Sequence, residues 1–180
     1  MKDSKPKILA ISGGISSTSY NKKILLTLKR DFSEDCDINV YEAIADLPFF
    51  LSGIKEEETP KVVKGFLNEI VNADGVLVCS PEYVFSIPGV LKNALEWAVS
   101  SVVFTDKPVA LITAASVGEK AHESLLLVLK TIGANLSVET NLLISGVKGK
   151  VSVDGEIIDP STKQSIQNLM AVFINSLKTK

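Results

Sequence analysis

Residues Lys7 to Asn21 read KILAISGGISSTSYN, an apolar run that passes directly into glycines and hydroxyl-bearing residues. Residues Val76 to Trp97 read VLVCSPEYVFSIPGVLKNALEW, where a polar loop again follows an apolar run. Short apolar runs that alternate with stretches of helical period are typical of βαβ units and a parallel sheet. In a doubly wound sheet of strand order 2-1-3-4-5, strands one and three are neighbours at the point where ligands bind. We therefore expect the two loops to lie side by side at one edge of such a sheet.

The rest of the chain continues this alternation. The predicted strands are about Lys7 to Ser12, Asp37 to Glu42, Gly75 to Ser80, Pro108 to Ala114 and a fifth within Asn135 to Ile144. The predicted helices are about Ser19 to Phe32, Pro60 to Asn72, Pro88 to Ser100, Gly118 to Gly133 and Pro160 to Lys178, the last capped by Asp159. A small hairpin or loop with its turn at Asp154-Gly155 is expected within Val147 to Ile158. The pattern predicts the α/β class: a flavodoxin-like three-layer sandwich with a five-stranded parallel sheet of order 2-1-3-4-5, formed by residues 1–180 as a single domain.

Composition excludes several classes of protein. The chain has 180 residues, of which 46% are hydrophobic, and a formal charge of −2 with Arg30 as its single arginine. This balance argues against a nucleic-acid partner. One histidine, His122, and two cysteines far apart in sequence form no ligand cluster, so we expect no metal. Because there is no signal peptide and no long apolar run, we expect a soluble, cytoplasmic protein with no membrane partner.

The first loop has the composition of a phosphate site. A helix that begins after a strand presents free backbone N–H groups and a positive dipole end. Gly13 and Gly14 allow a tight turn and close approach of a ligand. The polar side chains of the loop are Ser16, Ser17, Thr18, Ser19 and Asn21. The alternative interpretation is an ordinary turn between strand and helix, with Ser19 as the N-cap.

The second loop carries a family resemblance. SPEYVFSIPGVLKNALEW (Ser80 to Trp97) resembles the Pro-Glu-Tyr loop and the Pro-Gly-x-Leu-Lys-Asn-Ala helix of the NAD(P)H-dependent FMN reductase family, which includes quinone, azo-dye and chromate reductases. The first loop is similar to the phosphate loop of that family at Ser19 and Asn21. The resemblance implies an oxidoreductase that passes hydride from NADPH or NADH, through N5 of FMN, to a quinone, azo compound, metal oxyanion or free flavin. It also implies a homodimer or homotetramer.

The same resemblance assigns the binding residues. It implies that the first loop holds the FMN phosphate, that Pro81 to Val84 border the flavin ring, and that Ser116 meets the other side of the ring. The implied cofactor-binding residues are Gly14, Ser16, Ser17, Thr18, Ser19, Tyr20, Asn21, Pro81, Glu82, Tyr83, Val84 and Ser116. No protein side chain is expected to be catalytic, because the flavin carries the chemistry. A second interpretation of Ser116 is a capping box with Glu119 for the fourth helix.

Three departures from the family pattern keep alternatives open. Ser16 stands where the family usually has an arginine, and Val84 stands where asparagine is common. The third loop, Thr113 to Ser124, has Gly118 as its single glycine, where relatives are often glycine-rich. Phe85 could cover the flavin or contact a partner subunit. The arginine-free first loop favours a flavodoxin-like electron carrier, or a flavin-binding protein without reductase activity, as the alternative. The three departures together indicate a further alternative, a domain that has lost flavin binding and serves only in protein association.

Other side chains have structural interpretations. Glu82 is expected to be a structural or interface carboxylate, and Tyr83 a packing or flavin-edge residue. Trp97 is expected in the core or at a subunit contact, and His122 on an exposed helical turn in contact with water.

Overall fold

The five predicted strands form one parallel sheet. The computed structural model of the chain describes residues 5–178. Its strands are β1 (Lys7–Ser12), β2 (Asp37–Tyr41), β3 (Gly75–Ser80), β4 (Val109–Ala115) and β5 (Asn141–Ser145). They are ordered β2-β1-β3-β4-β5 across the sheet, and every neighbouring pair is parallel. The predicted strand order is therefore confirmed, and β1 lies directly beside β3.

Helices cover both faces of this sheet. Those described in residues 5–178 are α1 (Tyr20–Asp31), α2 (Lys61–Asn72), α3 (Gly89–Trp97), α4 (Glu119–Thr131), α5 (Val147–Lys150) and α6 (Pro160–Lys178). Helices α1 and α6 pack on one face, and α2, α3 and α4 pack on the other. Ile8 faces the first layer and Leu9 the second, as the alternation of side chains along a strand requires. The fold is the expected flavodoxin-like sandwich. None of the helices described between residues 5 and 178 has the length and apolar character needed to cross a membrane.

The burial of the central strands explains why their sequences are apolar. Every residue of β3 and of β4 is buried, because helices cover both faces of the sheet. Strands in that position have near-continuous apolar sequences rather than alternating ones. Burying one large apolar side chain such as Phe66 of α2 contributes about 1.5–3 kcal/mol. The two apolar layers on either face of the sheet therefore hold the carboxyl ends of the central strands in fixed positions.

Helix α3 and strand β5 differ from their predicted bounds. Helix α3 ends at Trp97 rather than near Ser100, because the amides of Ala98 and Val99 donate to carbonyls three residues earlier and tighten the chain into a turn. Strand β5 starts at Asn141, inside the predicted window, and ends at Ser145, one residue beyond it. The residues before it form a single bridge to Pro108 and a 3₁₀ turn at Val138–Thr140.

The segment predicted as a hairpin or loop is partly helical. Val147–Lys150 forms the short helix α5, so this half of the prediction was wrong. Val151 and Ile157 then make an antiparallel bridge, and Gly155 lies in its turn at a φ of +95°. A Cβ atom at Gly155 would lie 2.7 Å from the Cβ of Lys23 in α1. This close packing of the turn on α1 joins residues distant in sequence, so local sequence does not encode it.

The start of α6 agrees with prediction. Asp159 Oδ2 accepts hydrogen bonds from the Thr162 amide at 2.8 Å and from the Ser161 hydroxyl at 2.6 Å. These bonds, led by the one from Ser161, lower the pKa of the Asp159 carboxyl to about 2. A carboxylate at this position satisfies the free amides of the first helical turn.

Candidate functional site

The two polar loops meet at the carboxyl edge of the sheet. The Gly13 amide donates to the Cys79 carbonyl oxygen at 2.8 Å, which continues the pairing of β1 with β3 into the loops. A Cβ atom at Gly13 would lie 2.5 Å from Ser80 Oγ and 3.1 Å from Ser80 Cβ, so a larger residue at Gly13 would force the Ser80 side chain to shift. The predicted proximity of the two loops is confirmed.

The first loop is held in shape by its own polar groups. Ser12 Oγ donates to the Gly14 carbonyl at 2.9 Å and accepts from the Gly14 amide at 3.2 Å. The hydroxyls of Ser16 and Thr18 are 2.9 Å apart, and the Ser19 amide donates to the Ser16 carbonyl at 2.9 Å. Ser16, Ser17 and Thr18 remain exposed at the surface. The loop is thus a preformed turn that presents hydroxyl groups to solvent.

The start of α1 has no side-chain cap. Ser19 is the N-cap residue with extended backbone angles, but its side chain makes no capping hydrogen bond. The first turn of α1 contains no acidic residue. Tyr20, half-buried, is the first residue of the helix. The amides of a first helical turn lack partners within the helix, so this end retains donors and a positive dipole for an anion.

Asn21 is buried behind this helix end. Its side chain is 3% exposed; Nδ2 donates to the Ala114 carbonyl at 3.2 Å, and Oδ1 accepts a bond from the Cys79 thiol at 3.3 Å. The sequence predicted that this amide would line the phosphate loop. Its observed contacts instead link α1 to the ends of β3 and β4. Burial raises the pKa of the Cys79 thiol, which therefore stays protonated and can donate.

The second loop closes in a two-residue hairpin turn. Tyr83 and Ser86 exchange backbone hydrogen bonds of 2.9 and 3.0 Å. Between them Val84 and Phe85 have φ angles of +52° and +53°. This is the backbone of a type I′ turn, which favours asparagine and glycine, and a β-branched residue there is strained. Val84 is 96% exposed and Phe85 is 74% exposed, so packing within the chain does not hold the side chains of this tip in place.

The third loop is joined to the second through Glu82. Oε1 of Glu82 accepts from the Gly118 amide at 3.2 Å, and Oε2 accepts from the Ala121 amide at 3.0 Å. These bonds cap α4, whose N-cap is Gly118 with a φ of +93° and without a side-chain cap of its own. The alternative interpretation of Ser116 and Glu119 as a capping box is wrong, because the N-cap of α4 is Gly118, two residues after Ser116, and Glu82 supplies the cap. The prediction of Glu82 as a structural carboxylate is confirmed.

Ser116 itself is exposed between α4 and β5. Its carbonyl accepts from the Gly146 amide at 3.0 Å, and the next carbonyl, that of Val117, accepts from Ser145 Oγ at 2.6 Å. The third loop is therefore fixed from the β5 side by backbone groups and one hydroxyl. The sequence predicts strand five within Asn135 to Ile144, and no sequence signal indicates that Ser145 contacts the third loop.

His122 is not the exposed residue that the sequence predicted. Its Nδ1 atom lies 2.9 Å from the hydroxyl oxygen of Thr113, a completely buried residue at the end of β4. Burial lowers the pKa of His122, and a hydrogen bond with Asn141 opposes that effect. The prediction failed because α4 turns this position toward β4 and β5. A polar Thr113 in an otherwise apolar strand was the available signal.

Two residues of the Lys-Asn-Ala helix hold a neighbouring segment. Asn93 Oδ1 accepts from the Phe50 amide at 2.8 Å, and its Nδ2 donates to the Pro48 carbonyl at 3.0 Å. Trp97, 2% exposed, donates from Nε1 to the same carbonyl at 2.8 Å. These bonds place the exposed Phe49 beside Ile15 of the first loop around an open cavity of about 460 Å³. The core prediction for Trp97 is confirmed, while the role of Asn93 was missed.

Comparison with known proteins agrees with this arrangement. Residues 6–148 match the profile of the family described as NADPH-dependent FMN reductase. The chain belongs to this family. It is 31% identical over 172 residues to the NADH:(hydroxy)cinnamate reductase subunit CrdA of Vibrio ruber, covering 92% of this chain and 84% of that protein. It is 33% identical over 180 residues to the NADH-dependent flavin reductase subunit 2 of Lactobacillus johnsonii, covering 93% and 95%. The family resemblance seen in the sequence is thus confirmed.

A solved structure supports the fold. The flavoenzyme NAD(P)H:(acceptor) oxidoreductase FerB of Paracoccus denitrificans superposes with a TM-score of 0.78 over 96% of this chain and 97% of that one. Because the sequences are 22% identical, this likeness concerns the architecture alone. The chain is an oxidoreductase by family, and FMN and NAD(P)H are the cofactors that the family uses.

The residues present fit such a cofactor. The α1 end offers uncapped amides beside hydroxyls, which suits a phosphate. A Cβ atom at Gly14 would lie 2.2 Å from Ser19 Oγ, so a larger residue there would force the Ser19 hydroxyl to move. The second and third loops flank the adjoining part of the sheet edge and are bonded to each other through Glu82.

Proposed function

We propose that this protein is an FMN-dependent oxidoreductase that transfers hydride from NADPH or NADH to a small electron acceptor such as a quinone, azo compound, metal oxyanion or free flavin. The observation that carries the proposal is the junction of three loops, after β1, β3 and β4, beside a helix end without a side-chain cap. When bound, FMN supplies hydride chemistry at its N5 atom. The residues of the chain would bind FMN, orient it and leave it exposed.

The first loop is proposed to hold the phosphate. The hydroxyls of Ser17 and Ser19 and the amides of the first turn of α1 would donate to its oxygens. Further contributors in the proposal are Gly14, Ser16, Thr18, Tyr20 and Asn21. Asn21 would act indirectly, because its side chain is bonded to Ala114 and Cys79. With serine at position 16 instead of the family's arginine, phosphate charge would be balanced by helix and hydroxyl dipoles.

The second and third loops are proposed to border the ring. Pro81, Glu82, Tyr83, Val84 and Ser116 would contribute chiefly through their backbone groups, since the Glu82 carboxylate is already bonded to α4. The exposed side chains of Tyr83, Val84 and Phe85 would form an apolar lip at the ring. An apolar lip of this kind suits flat, aromatic acceptors, which gain from burial of apolar surface.

The first test is an anaerobic visible spectrum of the FMN-loaded protein before and after NADPH is added. The proposal expects rapid bleaching of the flavin absorbance, followed by recovery when a quinone is added. A bound flavin that stays oxidised with both NADPH and NADH would overturn the hydride step.

Matched variants test the phosphate assignment. We expect Ser17→Ala combined with Ser19→Ala to raise the Kd for FMN at least about a hundredfold, because two hydrogen bonds to a charged group are lost. Ser165→Ala removes an exposed hydroxyl of α6 and should leave the Kd unchanged. An unaltered FMN Kd in the double variant would contradict the assignment of the phosphate to the first loop.

A second candidate is electron transfer to a protein partner, in the manner of a flavodoxin. Tyr83, Val84, Phe85 and Val117 expose apolar side chains beside the site, and two relatives are named as subunits. Apolar surface at a redox centre also suits a protein docking surface. Steady-state reduction of menadione by the purified chain would favour the small acceptor. Stoichiometric bleaching without turnover of small acceptors would favour a partner protein.

We also propose that the protein is a cytoplasmic homodimer or homotetramer. The support is the exposed apolar lip, which a second copy of the chain could bury. Sedimentation at micromolar concentration tests this proposal, and a monomer there would contradict it.

A further inference from the structure

Glu82 is the residue through which the second and third loops are joined. It follows Pro81 at the start of the second loop and lies 36 and 39 positions before the two amides that it binds. Its two oxygens bind separate amides of Gly118 and Ala121, at 3.2 and 3.0 Å. Hydrogen bonds from N–H groups to a carboxylate are among the stronger ones in proteins. One side chain thus fixes the distance between two loops.

Local residues do not perform this task. Ser116 and Glu119, the nearest candidates on the third loop and α4, are exposed, and the α4 N-cap makes no side-chain bond. Within residues 5–178, the described cap of α4 therefore comes from the second loop. Because the carboxylate occupies the positive end of α4, that end is closed to a ligand phosphate, in contrast to the uncapped end of α1.

The strained tip of the second loop begins two residues after Glu82. Val84 and Phe85 keep positive φ angles although their side chains are exposed. Strained backbone persists where the surrounding structure over-determines it. Glu82 on one side and the Tyr83–Ser86 backbone bonds on the other supply that restraint.

We propose that Glu82 is a positioning residue whose cap on α4 sets the gap between the second and third loops, and so the fit of the flavin ring. This inference rests on the proposed function, because it takes the ring to lie between these loops. Glu82 would act through the loops it holds and not by contact with a reacting atom. A reacting pair held out of alignment reacts more slowly even when both partners stay bound.

The test compares Glu82→Gln, Glu82→Asp and Glu82→Ala with Glu119→Gln. Gln keeps the length and one acceptor oxygen, Asp is too short to span both amides, and Ala removes the link. Glu119→Gln removes a carboxylate from the first turn of the same helix without touching the second loop. A second control, Val128→Ala, weakens the packing of α4 away from the site.

We expect Glu82→Ala and Glu82→Asp to have larger effects on the FMN Kd and on the reduction rate than Glu82→Gln. For Glu82→Ala we expect about a tenfold rise in the FMN Kd, the scale of a lost helix cap, and a similar fall in the rate of flavin reduction at saturating FMN. Amide exchange at Gly118 and Ala121 should accelerate in the apoprotein. Glu119→Gln and Val128→Ala should change neither the Kd nor the reduction rate.

Each outcome has a separate meaning. If wild-type protein fails to bind FMN, the proposed function fails before the inference is reached. If wild type binds FMN, but Glu82→Ala or Glu82→Gln changes only amide exchange and melting temperature, Glu82 is a structural cap and the inference is overturned. If Glu82→Ala does not fold, Glu82→Gln and Glu82→Asp decide by the same readouts.

Discussion

The side-chain amide of Asn21 donates to the carbonyl oxygen of Ala114 at 3.2 Å, so the first turn of α1 is bonded to the end of β4 across the position of β3. The same side chain accepts from the thiol of Cys79, at the end of β3. One buried residue thereby joins the ends of three loops. The first loop, proposed to hold the phosphate, and the proposed ring loops are consequently parts of one bonded unit.

Removing this link should lower stability. We expect Asn21→Ala to reduce the free energy of unfolding by about 1–3 kcal/mol, because the Ala114 carbonyl and the Cys79 thiol lose a partner in the interior. The FMN Kd should also rise, since the start of α1 is no longer tied to the sheet. Urea unfolding followed by circular dichroism measures the first effect.

Asn39→Ala provides a matched control, because its amide makes one bond to Glu69 at an exposed site. Its loss should cost less than Asn21→Ala, in line with the small net value of exposed polar pairs. An equal loss of unfolding free energy in the two variants would contradict a larger contribution from the buried link.

The two cysteines should be inert in the folded protein. Both thiols are free and buried, and burial raises the pKa of Cys36 to about 11. Thiolate is the reactive form, so neither group should react at pH 8. We expect a thiol-disulfide reagent to modify both cysteines in 6 M guanidinium at a rate orders of magnitude above that in buffer. Fast native labelling of either thiol would show that its site opens readily.

The parts of this fold that could be predicted from sequence are those dictated by local pattern. Strands β3 and β4 are covered on both faces, which requires unbroken apolar runs, and the run Gly75–Ser80 was bounded correctly. The cap at Asp159 was also predictable, since the capping residue and its helix are adjacent. Two glycines after β1 indicated a close approach of backbones, which the contact of Gly13 with Ser80 explains.

The parts that could not be predicted depend on contacts between residues distant in sequence. A local rule pointed to Ser116 and Glu119 as the cap of α4, whereas Glu82 supplies it from another loop. His122 looked exposed by helical position, but tertiary packing places it on Thr113. In the candidate site, sequence motifs located the loops, and only packing revealed the bonds between them.

A substitution at Val84 that relieves the backbone strain of the turn should raise the stability of the protein. Asparagine tolerates positive φ far better than a β-branched residue, and the valine side chain, 96% exposed, would give up almost no buried contact. We therefore expect Val84→Asn to raise the free energy of unfolding by about 1 kcal/mol. Thermal unfolding of the apoprotein measures the gain. Val138→Asn, a similarly exposed valine without positive φ, is the control and should give no gain.

His122 should make stability depend on pH near neutrality. Burial lowers its pKa below the ordinary 6.5, so the unfolded chain binds the proton more tightly than the folded protein does. The contribution of neutral His122 is therefore complete above pH 6.5 and is lost as the pH falls through 6.5 toward the folded pKa.

Because His122 is the single histidine of the chain, its titration can be followed by NMR without overlap. We expect a midpoint below 6.5 and a fall in unfolding free energy between pH 7.5 and 5.5 that is smaller in His122→Gln. Gln retains a side chain able to hydrogen-bond to Thr113 but cannot titrate. A midpoint at or above 6.5, or the same pH slope in both proteins, would contradict a histidine kept neutral by its position between α4 and β4.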